Sequence, residues 1–236
     1  MAADLIAILF ALHREARPFL ANRRSWRSVG TGMWQGPGSI VVMVTGMGSE
    51  ATRQALSFLE DRAGKPDRVI SAGFAGSLDE SLRIGALVQA DVVVAGTDKW
   101  KLPTTPVQLG NAVRLVTTSV PVLGRAERDQ LRETMHAQVV DMETATIASW
   151  CEERTIPLTS LRVISDDYQS PLPEEIPQFA RGESIRVGRL LVCVFKRPGL
   201  IRDLVRLGRD SKRCAIRLSD GLHQLLEQFH SGCRGE

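Results

Sequence analysis

The chain lacks the features that would place it in several familiar classes. Its four cysteines, Cys151, Cys193, Cys214 and Cys233, form no Cys-x-x-Cys pair and have no histidine cluster beside them. That spacing argues against zinc and against a disulfide framework, so no metal is expected. Scattered thiols with mostly apolar neighbours fit a reducing, cytoplasmic compartment. Long apolar runs are missing as well. Leu5–Leu12 is short and has neither a basic segment before it nor a small-residue cleavage site after it, so it reads as a buried first strand rather than a signal peptide. No segment reaches the roughly 20 apolar residues of a membrane-spanning helix. Internal repeats and low-complexity tracts are absent too. The net charge of +3 over 236 residues gives no ground for a nucleic-acid partner.

What charge there is lies unevenly. Arg181–Arg213 holds ten Lys/Arg and three Asp/Glu, which makes +7 there and −4 in the remainder. Arginines at helical spacing usually form a solvated face. Contact with an anionic membrane surface is the alternative, with Leu200, Ile201, Leu204, Val205 and Leu207 on its apolar side. Those residues would equally suit packing on the core or on a partner subunit.

At 43% hydrophobic and 24% charged, the composition is that of an ordinary globular protein. The length suits one domain over residues 1–236, with an extended basic helical region at 170–236. Strands are expected at Leu5–Leu12, Ile40–Val44, Arg68–Ala72, Leu87–Val94, Val113–Val120 and Leu158–Ser165. Each is rich in Val, Ile or Leu without clean polar alternation, as in strands covered on both faces. Helices are expected at Glu50–Arg62, Arg125–Met135 and Met142–Arg154. This interleaving implies an α/β fold, with helices on both faces of a central mixed, mostly parallel twisted sheet. Gly30–Gly38 and Gly96–Asn111 read as irregular connections, the latter because of Pro103 and Pro106, and Ser170–Pro177 reads as a loop. Ala215, Leu218, Leu222, Leu225, Leu226 and Phe229 share one helical face, at the spacing of a helix docked on a core.

Three acids sit where an open α/β sheet binds ligands, at the carboxyl ends of strands. Glu15 follows the first strand in FALHREARPF, Glu143 opens a helix in VVDMETATIASWCEE, and Asp166 ends the β-rich run LTSLRVISDDY. Each also has a plainer explanation, as a first-turn acid favoured by the helix dipole or as a helix cap. Two glycine turns accompany them. Gly46 and Gly48 lie between a strand and a helix, where backbone N–H groups can meet an anion. Gly73 and Gly76 end another strand, where a ligand can approach the backbone. A structural tight turn explains either pair equally well. The Gly-x-Gly turn lacks the third glycine of a dinucleotide fingerprint and the acid after the second strand, which excludes a Rossmann-type dehydrogenase.

Five segments in order, AILFALHREARPF, VTGMGSEAT, VISAGFAGSLDESLRIGALV, VVDMETATIASWC and SLRVISDD, resemble the superfamily of purine nucleoside phosphorylases and methylthioadenosine/S-adenosylhomocysteine nucleosidases. The resemblance spans roughly residues 5–167. It implies cleavage of the bond between a purine and its ribose. Asp166 matches the residue that protonates the purine and Glu143 the residue that accepts from the sugar hydroxyls. Met142 matches the residue packed on the ribose, and Glu15 the one that orients an attacking water. Phe74, Gly73, Ser165, Val122 and Leu123 fall at base- or ligand-binding positions. The substrate implied is a small-molecule nucleoside, and the assembly a dimer or higher homo-oligomer.

Two departures bear on the chemistry. Phosphorylases of this superfamily carry an arginine and a hydroxyl residue near the second glycine turn, donors a phosphate needs. Here the matching positions are Ser71 and Phe74. Water is therefore favoured over phosphate as nucleophile, and no cofactor is expected, with inorganic phosphate the alternative co-substrate bound through Arg14 or Arg17. The second departure is the tail of about 70 residues after Asp166. With its RPGLIRDLVRLGRD segment it resembles the hopanoid-associated branch, which acts on an adenosyl-lipid and would bring the enzyme to the inner face of a membrane. A non-catalytic nucleoside-binding module on the same fold is the competing reading, which loss of any of the three acids would favour.

Overall fold

The computed structural model describes residues 4–21, 25–103, 108–122, 124–169, 180–181, 184–185 and 199–232, with the side chains of the last segment described over 208–229. The elements run β1 (Ile6–Phe10), α1 (His13–Ala16), β2 (Arg27–Gly30), β3 (Met33–Gln35), β4 (Ile40–Val44), α2 (Ser49–Ala63), β5 (Arg68–Ser77), β6 (Leu87–Ala95), β7 (Asp98–Lys101), β8 (Asn111–Thr117), α3 (Arg125–Met135), β9 (Val139–Asp141), α4 (Thr144–Glu153) and β10 (Leu158–Asp166). A short ladder of Ala180–Arg181 with Ser184–Ile185 and a long C-terminal helix, α5 (Gly199–Gly232), complete the described chain.

The expected mixed sheet is present. β1 lies at its centre, parallel to β4 on one side and β5 on the other. All five of its residues are buried, which is why it reads as an unbroken apolar run. Alternate β1 residues serve opposite faces. Ala7 and Leu9 join the core under α2 and α4, with Leu56, Leu59, Ile147 and Cys151. Ile6, Ile8 and Phe10 join the core under α5, with Leu218, Leu222 and Leu225. The α5 face expected from helical spacing is the one that docks, with Phe229 partly buried at its end.

Half of the sheet does more than lie between helices. β5 is ten residues long, twice the stretch expected, and it changes neighbour along its length. Its first half pairs with β1 up to Ser71, and its end pairs with β9 at Gly76 and Ser77, while β10 stays on its other edge. β9 pairs with β8, β8 with β6, and β6 with β10, so these strands return to β5 and close on themselves. The cause is that β1 stops at Phe10 and turns into α1, leaving the second half of β5 without its first neighbour.

Two connections expected to be irregular contain strands. Within Gly30–Gly38, Met33–Gln35 pairs with both β2 and β4, making an edge hairpin that turns through Gly32 at φ +69°. Within Gly96–Asn111, Asp98–Lys101 folds back on β6. The eighth strand ends at Thr117 rather than Val120. Ser170–Pro177 falls outside the described residues. So do the side chains of Leu200, Ile201, Leu204, Val205 and Leu207, although their backbone is helical. Among the described residues no helix is long and apolar enough to cross a membrane.

Candidate active site

The parting of β1 from β5 creates the site. Beyond Ser71 the β5 backbone has lost its partner on that side, and the part-buried Phe74 N–H needs an acceptor. Glu15, held in the first turn of α1, supplies it. Its Oε1 accepts from Phe74 N at 3.1 Å, and its Oε2 accepts from Ala11 N at 3.1 Å and Leu12 N at 3.0 Å. The side chain is only 3% exposed. Burial pushes its carboxyl above the ordinary value, opposed by the N–H groups of Leu12 and Phe74 and by the charge of Arg162.

Glu143 stands immediately before α4, and its side chain reaches across to the glycine turn, where its Oε1 accepts from Gly48 N at 2.8 Å. Burial, reinforced by the neighbouring charge of Asp141, raises its carboxyl to about 7, against the pull of the Gly48 N–H. The Gly46–Gly48 turn was expected to offer N–H groups to an anion. In the structure the Gly48 N–H is already taken, by the protein's own carboxylate.

Asp166 ends β10 and is 7% exposed. Its Oδ1 accepts from the Ser165 hydroxyl at 2.8 Å, and its Oδ2 meets Arg128 Nη2 in a close ion pair. Arg128 is fully buried and also donates to the carbonyls of Ser77 at 2.9 Å, Asp167 at 3.3 Å and Val122 at 3.4 Å. Gly76 is needed beside it, since a Cβ there would lie 2.9 Å from Asp166 Oδ2. A Cβ on Gly73 would come within 3.4 Å of Glu15 Oε2.

A second buried arginine, Arg162, organises the floor. It donates to Asp141 Oδ2 at 3.0 Å, to the Ser71 hydroxyl at 2.7 Å, to the Ser71 carbonyl at 2.8 Å and to Thr144 Oγ1 at 2.6 Å. Asp141 also accepts from Thr144 N at 3.1 Å, so it is Asp141, with its side chain, that serves the start of α4, while Glu143 is freed to face the cleft.

One cleft is lined by Glu15, Phe74, Val122, Met142, Glu143, Ser165 and Asp166, together with Leu12, Arg14 and Met47. Of the expected site residues, Gly46, Gly48 and Gly73 do not line it; Gly48 meets it through its bond to Glu143, and Gly73 lies near Glu15. Leu123 falls outside the described residues. The sequence marks Asp141 as a cap for the following helix, which it is, but not Arg128, which pairs with Asp166, nor Arg162 and Thr144, which bond to Asp141. Among the described residues no group of His, Cys, Asp and Glu could hold a metal ion.

A mixed sheet that parts at its carboxyl ends around paired acids is an α/β ligand-binding architecture of the kind used for nucleosides and nucleotides. The family model of the phosphorylase superfamily matches residues 6–110 and 107–196, and the chain belongs to that superfamily. It is 24% identical over 187 residues to a 5′-methylthioadenosine/S-adenosylhomocysteine nucleosidase of Tolumonas auensis, covering 66% of this chain and 81% of that one. It is 26% identical over 156 residues to the enzyme of the same name from Staphylococcus aureus, covering 54% and 68%. Among solved structures, a Helicobacter pylori methylthioadenosine nucleosidase mutant with 5′-methylthioadenosine in its active site matches with a TM-score of 0.73 at 16% identity, covering 95% and 99% of the two chains. A futalosine hydrolase mutant from the same organism matches with a TM-score of 0.72 at 16% identity, again covering 95% and 99%. These structures share the fold.

Proposed function

We propose that the protein hydrolyses the N-glycosidic bond of a purine nucleoside of the 5′-modified adenosine type. The observation that carries this reading is the convergence of Glu15, Glu143 and Asp166 on one cleft. In the reaction the bond from the base nitrogen to the anomeric carbon breaks, with its electron pair leaving on the purine. Asp166 gives the purine its proton. Positive charge grows on the ribose ring, as in glycoside hydrolysis, and carboxylates nearby stabilise it. Glu143 accepts from the 2′ and 3′ hydroxyls, and Met142 packs on the sugar. Water adds to the anomeric carbon and loses its proton to Glu15, whose affinity for protons is raised by burial. Phe74, Val122 and Ser165 wall the space for base and sugar, with Gly73 behind Glu15.

The test is release of free adenine, followed by mass, from adenosine and from 5′-methylthioadenosine. Intact nucleoside after prolonged incubation with both, despite measurable binding, would leave only a nucleoside-binding module.

A further inference from the structure

Part of the basic tail is gathered at a cavity. Arg209, Arg213 and Arg217 stand at i, i+4 and i+8 on α5, so they share one row of that helix. Like charges placed this way repel one another and weaken a helix. Arg83, in the loop between β5 and β6, lines the same cavity. Among the described residues none of these four guanidinium groups has a hydrogen bond or an ion pair. Other surface arginines do find acids: Arg53 pairs with Glu50 and Arg154 with Glu60.

The cavity measures about 680 Å³, within the roughly 300–1,000 Å³ of small-molecule sites. Its walls are tied to one point. The Ile164 carbonyl accepts from Gly85 N at 2.8 Å and from Cys214 Sγ at 3.3 Å, which fixes both the loop and α5 to β10. Two carboxylates, Asp167 and Asp210, share the lining with the four guanidinium groups, leaving a surplus of two positive charges. Burial pushes the Cys214 thiol up to about 11, so it stays neutral and does not reduce that surplus.

The cavity and the acid cleft use consecutive residues at the end of β10. Ser165 and Asp166 line the cleft, whereas Asp167 lines the cavity, and among the described residues no side chain is common to both.

The geometry restricts what can answer this charge. A guanidinium presents parallel N–H donors that match phosphate oxygens two at a time. From Arg209 to Arg217 the helix rises about 12 Å, farther than a single phosphate can bridge. A ligand reaching along the row needs several phosphates in succession. The donors also come from two elements around a hollow, which a soluble anion can enter and a flat anionic surface cannot. We propose, independently of the nucleosidase reading, that the cavity bounded by Arg83, Arg209, Arg213 and Arg217 binds a soluble oligophosphate, at a site separate from the acid cleft. The surplus charge attracts the anion, and its binding relieves the repulsion along α5.

Inorganic triphosphate is the probe, titrated by calorimetry into the full chain as wild type, Arg83→Gln, Arg213→Gln and Arg53→Gln, the last a control on α2. The wild type should bind one triphosphate saturably. Arg83→Gln and Arg213→Gln should each weaken it about tenfold or more, the loss of one charged hydrogen bond. Arg53→Gln should bind as the wild type does, and saturating adenosine should leave the affinity unchanged. No saturable binding, an equal loss in all three variants, or displacement by adenosine would overturn the site. Flotation with phosphatidylglycerol vesicles separates a soluble ligand from a lipid headgroup. The wild type and Arg213→Gln should float alike. Flotation that depends on Arg213, without binding of triphosphate, would make this face a membrane contact and sink the proposal.

Discussion

At the scale of single residues, the site is built from acids whose counter-charges are unequal. Asp166 is paired with Arg128 and Asp141 with Arg162, both pairs buried, whereas Glu15 and Glu143 are satisfied mainly by backbone N–H groups. The acids were legible because each follows an apolar run or opens a helix at a strand end. Their arginines were not. Arg128 is one of three arginines in RAERDQLRETM, a segment with the composition of an exposed helix, yet it is the buried residue of α3. Only the tertiary position of Asp166 sets it apart. This pairing has a consequence for mutation. Asp166→Asn should lower turnover by about 10²–10⁴, as for loss of a general acid. It should also destabilise the fold by roughly 3–5 kcal/mol, because Arg128 is left as an uncompensated buried charge. Arg128→Met added to Asp166→Asn should recover stability in urea unfolding but not turnover. Recovery of turnover in the double variant would remove Asp166 from proton transfer. Glu143 gives a separate check through pH. Its carboxyl is raised from 4.5 to about 7, so the folded state holds the proton more tightly than the unfolded chain does. The stability linked to that proton is lost as pH rises from 4.5 to about 7, and the cost of the buried charge is complete above it. Glu143→Gln, whose amide oxygen can still accept from Gly48, should therefore gain stability relative to wild type between pH 5 and pH 8, both taken as test conditions. A constant difference across that window would show that Glu143 does not carry the raised value.

At the scale of elements, periodicity was the reliable guide where an element packs on one face. The apolar stripe from Ala215 to Phe229 is the face α5 lays on β1, β5 and β10. Leu222, completely buried there, should cost about 2–5 kcal/mol when replaced by Ala, read as a lower denaturant midpoint with an unchanged slope. A loss under ~1 kcal/mol would mean that α5 can leave the sheet without unfolding it. Short edge elements were not legible. β3 has three residues, and the glycines around it dominate its local pattern, so its pairing with β4 is decided by the neighbouring strand rather than by its own composition. The length of β5 was hidden for a related reason. Gly73 and Gly76 read as the end of a strand, but both lie within β5, and Gly76 is small because Asp166 crowds against it. Gly76→Ala should accordingly act on β5 and β10 together. Its Cβ would meet both Asp166 Oδ2 and Val140 Cγ1, pushing the acid from its place and lowering turnover more than stability. Normal turnover in this variant would show that the position of Asp166 is not critical.

At the scale of the whole molecule, the arrangement of charge decides the nucleophile. A phosphate near neutral pH carries close to two negative charges, and burying such an anion requires donors that are not already engaged. Among the described residues most buried donors around the site are engaged, Arg128 Nε being left without a partner. Arg128 is committed to Asp166 and three carbonyls, and Arg162 to Asp141, Thr144 and Ser71, the residue standing where an arginine was looked for. The Gly48 N–H is committed to Glu143, and the Phe74 N–H to Glu15. Arg14 is the cation that lines the cleft, Arg17 lines only a neighbouring cavity, and Phe74 offers only a ring toward the sugar. A neutral water asks for none of this, and Glu15 can take its proton. Turnover should therefore be the same in phosphate-free buffer as with phosphate added. In ¹⁸O-labelled water the label should appear at the anomeric carbon of a free sugar. Rate that rises with phosphate, or a sugar 1-phosphate among the products, would overturn the assignment and make Arg14 and Arg17 the first candidates for an anion site.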